Sequence, residues 1–130
     1  MNVVDSSGWL EYLADETNAD FFEPAIVDLE NLIVPSLSIY EVFKRVLQQR
    51  SEELALQAIA VMQQGIIVDL SATLCLSAAR VSIAHHLPLA DSVMLATAQA
   101  HEATFWTQDA DFDGMVGVRY IAKKTSAARH

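Results

Sequence analysis

Short β-branched and aromatic runs recur along this chain, and segments of helical periodicity lie between them. "MNVV" at the start, "LIVP" at 32–35, "GIIVDL" at 65–70 and "ATFWT" at 103–107 read as strands, and "VRYIA" at 118–122 is a candidate fifth. Strands separated by helices pair in parallel, because a hairpin turn cannot connect them. A parallel sheet needs cover on both faces. The expected fold is therefore α/β: three α/β/α layers around a central, mostly parallel sheet of four to five strands. Ligands in such sheets sit beyond the carboxyl ends of the strands.

The helices can be placed from their start signals. "SSGWLEYLA" reads as a helix with Ser6 or Ser7 as its N-cap. A second helix is expected from near Pro24, with Ile26, Leu29 and Leu32 or Ile33 on one face. Ser38 and Glu41 have capping-box spacing at the start of a helix running to about Arg50. Ser51 opens another, with Leu54, Ala55, Ala58, Ile59 and Met62 at helical spacing. Residues 71–86 and about 89–102 form two more, separated by Pro88. His85 and His86 fall at a helix end, where they offset the dipole. Trp9 and Trp106 are expected in the core.

The 130 residues are expected to form one domain, 1–130, without repeats or a linker. No apolar run approaches the ~18 residues of a membrane span. The first residues lack a basic start and a cleavable apolar segment, so export is not expected. The lone Cys75 cannot form an internal disulfide, which fits a reducing cytoplasm, and "TLCLSAA" reads as a buried setting for it. The net charge of −9 argues against a general basic surface that wraps nucleic acid. It leaves room for a nucleic-acid enzyme whose metal ions neutralise the site, or for a basic protein partner.

Several acids stand alone in apolar surroundings. Asp5 is the only charged side chain in the first ten residues, Glu41 the only one between Glu30 and Lys44, and Asp91 the only one between Arg80 and Glu102 with neutral histidines. A buried carboxylate must be paired, protonated or bound to metal. Each has an ordinary alternative. Asp5 can cap a helix, Glu41 can complete the capping box or pair with Arg45, Asp91 can face a helix dipole, and Asp109 can make an Asx-turn. Yet Asp5 and Asp109 follow strands, and Glu41 and Asp91 lie near helix starts. All four can meet at one edge of the sheet. Oxygen ligands without Cys or His favour Mg²⁺ or Mn²⁺ over zinc, and carboxylate-held ions of that kind hydrolyse phosphodiesters.

"TQDADFDG" at 107–114 carries Asp109, Asp111 and Asp113 at alternate positions before Gly114, like the start of an EF-hand loop. The twelfth position, however, is Tyr120 where an EF-hand needs Glu, and a strand-like segment precedes the acids.

The stretches "VVDSSGWLEYL", "PSLSIYEVFKRV" and "LPLADSVMLATAQAHEATFWTQDADF" resemble, in order, the motifs of PIN-domain ribonucleases, in particular VapC-type toxins of bacterial toxin–antitoxin pairs. The resemblance implies a PIN-like α/β/α domain that binds Mg²⁺, with Mn²⁺ able to substitute, and cuts RNA. It maps the metal-holding, catalytic acids to Asp5, Glu41, Asp91 and Asp109, and Asp111 to a further metal position. Ser6 and Thr107 match supporting hydroxyl positions. Gln108 stands where Arg or Lys is common, which removes a possible phosphate contact. The family also implies a homodimer and a cognate antitoxin that inserts a basic side chain among the carboxylates. Lys44 and Arg45, on the helix after Glu41, are candidate contacts to the RNA substrate, beside their default as a solvated face.

Two other readings compete. In a receiver-like phospho-acceptor domain, Asp69, Asp5, Thr107 and Lys123 would fall near strand ends, but Asp5 is followed by Ser6 instead of a second acid. A PIN-like module without catalysis, acting only by binding, is the other. A haloacid-dehalogenase-like phosphatase needs D-x-D after the first strand, which Ser7 breaks.

Overall fold

The computed structural model describes residues 1–124. Five strands alternate with six helices: β1 (Asn2–Val4), α1 (Ser6–Leu13), α2 (Ala19–Val27), β2 (Leu32–Pro35), α3 (Ser36–Gln49), α4 (Glu52–Met62), β3 (Ile66–Val68), α5 (Ala72–His85), α6 (Leu89–Ala100), β4 (Thr104–Thr107) and β5 (Val118–Tyr120). The sheet has the order β3-β2-β1-β4-β5, and every pairing is parallel. Helices cover both faces, so the fold is the expected α/β/α sandwich, and "VRYIA" does contribute a fifth strand.

Side-chain alternation divides the core in two. Val3 lies in register with Ile33 and Phe105, and these three pack with Leu74, Ala78, Val81 and Met94 of α5 and α6. The next residues, Val4 and its register partner Trp106, turn to the other face with Leu32 and Val34. There they meet Trp9, Phe22, Val42, Ala58 and Met62 from α1 to α4. A strand buried on both faces is apolar at every position, which is why these segments read as continuous runs and not as alternating ones.

Connections from β1 run outward to β2 and β3. The chain then returns to the other side of β1 to form β4 and β5. The order therefore reverses between β1 and β4, and the crevice beyond their carboxyl ends is where ligands bind in open parallel sheets.

Several local expectations are corrected. Asp5, not Ser6 or Ser7, caps α1: its backbone is extended and its carboxylate accepts the Gly8 N–H. A second helix starting at Pro24 is not found; α2 starts five residues earlier, with Pro24 inside it on an exposed side. Leu29 lies in an exposed 3₁₀ turn, and Leu32 and Ile33 belong to β2. The capping box fails because Ser38 is already two residues inside α3, with its hydroxyl buried and without a partner among the described residues. Cys75 is exposed. His85 ends α5 and His86 caps it with φ 56°, in the left-handed region. Among the described residues no helix is long and apolar enough to cross a membrane.

Gly8 allows α1 to lie against both α2 and β1. A Cβ there would stand 2.6 Å from Phe22 Cε1 and 2.7 Å from Val4 Cγ1. Neither ring nor strand has room to yield, because both are fully buried. Gly8→Ala is therefore expected to destabilise the protein by about 1–3 kcal/mol through overpacking, in spite of alanine's better helix propensity. Denaturant midpoints of the two proteins check this.

Candidate active site

Asp5 sits where β1 ends and α1 begins, and both of its carboxylate oxygens are engaged. Oδ1 accepts the Gly8 backbone N–H at 2.8 Å and the Ser7 hydroxyl at 2.9 Å. Oδ2 accepts the Thr107 hydroxyl at 2.6 Å. The Thr107 oxygen in turn accepts the Asp109 backbone N–H at 2.9 Å. Thr107 is fully buried at the end of β4, so one hydroxyl locks together the ends of the two central strands and the acids that follow them.

The other acids come from three further positions. Glu41 projects from the second turn of α3, and its Oε1 accepts the Ser6 hydroxyl at 2.7 Å. It forms no ion pair with Arg45. Asp91 lies in the first turn of α6. Asp109 caps a short 3₁₀ turn, Ala110–Phe112, by accepting the Asp111 N–H at 2.9 Å, and it does make the Asx-turn. Asp111 is exposed on that turn.

Electrostatics show that these carboxylates sense one another. Burial pushes the Asp91 carboxyl from 3.8 up to about 6, and the charges of Asp109, Asp5, Glu41 and Asp111 add to the rise. No donor among the described residues hydrogen-bonds to Asp91. Burial likewise pushes Asp5 up to about 6; the bonds from Thr107, Gly8 and Ser7 oppose this, and Asp109 adds to it. Desolvation and like charge both disfavour ionisation, and a divalent cation would relieve both. An all-oxygen donor set fits Mg²⁺ or Mn²⁺. Among the described residues no three such side chains are placed so that they could hold an ion as they stand. Asp5 and Glu41 are anchored on hydroxyls, Asp109 on the Asp111 N–H.

A groove of about 990 Å³ opens beside Glu41 and Asp91, between α1, α3 and α4. Lys44, Arg45, Arg50 and Lys123 line it, four of the chain's eight Lys and Arg residues. Basic charge is scarce in this chain and half of it borders one groove. Lys44 and Arg45 thus share the groove with two of the acids, Glu41 and Asp91. Lys123 was not singled out as a groove residue in sequence, because only the course of the chain after β5 brings it there.

Two sequence expectations fare differently. Asp69 follows β3, the edge strand, two strands away from β1, so it is separated from Asp5 and Thr107, and a receiver-like pocket is not formed. Gln108 is buried, 5% exposed, against α1. Gln108 also borders the groove, but its amide is already engaged with Glu11 and Asn18. Nothing in the spacing marked its partners Glu11 and Asn18.

The family model of the PIN domain matches residues 3–117. A search of curated proteins found no match. Among solved structures, the chain is similar to a toxin–antitoxin complex from Klebsiella pneumoniae, with TM-score 0.77, 18% identity and coverage of 92% of this chain and 96% of that one. It is also similar to VapC20 of Mycobacterium tuberculosis, described as a Sarcin-Ricin loop cleaving toxin, with TM-score 0.74, 17% identity and coverage of 92% and 99%. A DNA-bound VapBC from Salmonella typhimurium matches with TM-score 0.75, 10% identity and coverage of 93% and 96%. At these identities the likeness is one of fold.

Proposed function

The chain belongs to the PIN-domain family, and from that membership we propose that it is a metal-dependent endoribonuclease of the VapC type, the toxin of a toxin–antitoxin pair. One observation carries the site assignment. Asp91, without a hydrogen-bond donor among the described residues, lies in the field of Asp109, Asp5, Glu41 and Asp111. Like charges gathered this way disfavour ionisation unless a cation offsets them. In this reading Asp5, Glu41, Asp91 and Asp109 hold Mg²⁺ or Mn²⁺, and Asp111 assists from the exposed side. When bound, the ion supplies Lewis acidity toward the scissile phosphate.

The chain's own residues do the rest. Thr107 and Ser6 orient Asp5 and Glu41 through their hydroxyls. Lys44 and Arg45 offer cationic contacts for RNA phosphates in the groove. Water attacks phosphorus in line with the departing 3′ oxygen, so the products carry 5′-phosphate and 3′-hydroxyl ends. The likeness to a toxin that cleaves the sarcin–ricin loop supports a structured RNA as substrate. The toxin–antitoxin neighbours support a cognate antitoxin, and the acidic chain favours a basic segment in it. A homodimer working in the cytoplasm completes the proposal.

The test is cleavage of total structured RNA by the purified chain, with Mg²⁺, with Mn²⁺ and in excess EDTA. Cleavage is expected with either ion and none in EDTA. Expression of the chain alone is expected to arrest growth, and Asp5→Asn to relieve the arrest. Cleavage undiminished in EDTA rules the mechanism out. Absence of cleavage with either ion favours a binding module of the same fold.

A further inference from the structure

Gln108 stands between Thr107 and Asp109, yet its side chain turns toward α1 and is buried. A buried primary amide is costly unless its donor and acceptor are both matched. Here they are. Nε2 donates to Glu11 Oε1 at 3.3 Å, with a longer 3.5 Å contact to the Ser7 carbonyl. Oε1 accepts from Asn18 Nδ2 at 3.0 Å. Asn18 Nδ2 also donates to the Ala122 carbonyl at 3.2 Å, and the Asn18 backbone N–H donates to Glu11 Oε2 at 2.9 Å. Glu11 and Asn18 are buried too.

This network joins four segments: α1, the connection to α2, the turn after β4, and the residues after β5 that carry Lys123. It needs a particular side chain at 108. Glu11 presents only acceptors and Asn18 presents a donor, so the bridge must donate on one side and accept on the other. Glutamine does both. Asp109 is then fixed from two directions: Thr107 binds its N–H on the Asp5 side, and the neighbouring Gln108 side chain pins its turn to α1.

We propose that Gln108 is a positioning residue for the carboxylate site, which holds Asp109 at the distance from Asp5 that ion binding requires. The role in ion binding rests on the nuclease reading; the role in holding the turn does not. Three variants separate these. Gln108→Met keeps length but cannot hydrogen-bond. Gln108→Glu sets a second carboxylate against Glu11. The double change Glu11→Gln with Gln108→Glu exchanges the amide and the carboxylate, and every hydrogen bond of the network can still form except the long 3.5 Å contact to the Ser7 carbonyl.

Amide hydrogen exchange in EDTA reads the turn without any metal. Gln108→Met and Gln108→Glu are expected to raise exchange at the Asp109 and Asp111 N–H groups about 10-fold or more, while sheet amides such as Val4 stay protected. The double exchange is expected to return both to within about 3-fold of the parent. In RNA cleavage, the half-saturating Mg²⁺ concentration is expected to rise about 10-fold or more for Gln108→Met, with the KM for RNA little changed. The proposal is overturned if Gln108→Met leaves Asp109 and Asp111 exchange at parent values. It is equally overturned if exchange rises uniformly through the sheet while Mg²⁺ half-saturation is unmoved, the signature of general destabilisation. A double variant that melts like the parent but does not restore the turn also overturns it. If the parent cuts no RNA, the nuclease reading fails and the exchange measurement alone decides the role of Gln108.

Discussion

Asp91→Asn is expected to lose at least about 100-fold in RNA cleavage and, in EDTA near neutral pH, to melt no lower than the parent. The two outcomes belong together. Asp91 accepts no hydrogen bond among the described residues, so its amide loses no structural partner. Its folded carboxyl is raised from 3.8 to about 6. The folded state thus holds a proton in a pH range where the unfolded state has released it. The group's contribution to stability is complete below 3.8 and is lost as pH rises through about 6. Above that range the ionised Asp91 strains the metal-free protein, and asparagine does not. Solvent screening at this half-buried group keeps the gain to on the order of 1 kcal/mol. Added Mg²⁺ should raise the melting temperature of the parent more than that of Asp91→Asn. Melts of both proteins in EDTA and in millimolar Mg²⁺ check this. A clear drop for Asp91→Asn in EDTA would make Asp91 a structural helix-end group instead.

Thr107→Val is the second large effect. The substitution keeps shape but removes the donor to Asp5 and the acceptor of the Asp109 N–H. Both partners lie in a site where Thr107 itself is 0% exposed. Leaving buried polar groups unmatched costs on the order of 2–3 kcal/mol here. The melting temperature should fall by roughly 10 °C. Asp5 also loses the hydrogen bond that does most to hold its carboxyl down, so its value climbs further above about 6. The sign follows: the deficit of the variant is largest above about pH 6, where the parent's Asp5 is ionised, and narrows as the pH falls. Thr107→Ser retains the hydroxyl and should recover most of the loss. If Thr107→Val melts with the parent at every pH, the bridge carries no weight.

The parts of this architecture that were legible in sequence are those with a strong local cause. "LIVP" and "ATFWT" are apolar on both sides because their strands are covered on both sides, and each was placed to the residue or nearly so. Asp5, Glu41 and Asp91 were legible as charges without company. What misled was local chemistry with two solutions. Ser6 and Ser7 are good caps, but Asp5 takes the position because its carboxylate reaches Gly8, which frees Ser6 for Glu41. Pro24 is a common helix opener, yet an exposed helix side tolerates it inside. Glu11 was illegible because its donors, Asn18 and Gln108, come from 7 and 97 positions away. Only the docking of β4 beside β1 makes it a buried group with a purpose.

That docking has a consequence for the order of events during synthesis. β1 is the central strand, but its partner β4 and the hydroxyl that binds Asp5 lie 102 positions later. At ribosomal rates of about 5–20 residues per second, roughly 5–20 seconds pass before Thr107 exists to meet Asp5. Until then β1 has one open edge, and the two acids of the central crevice cannot face each other. A nascent chain carrying α1 to α5 therefore has no assembled site. Whatever the site does, it cannot assemble until translation has passed Thr107.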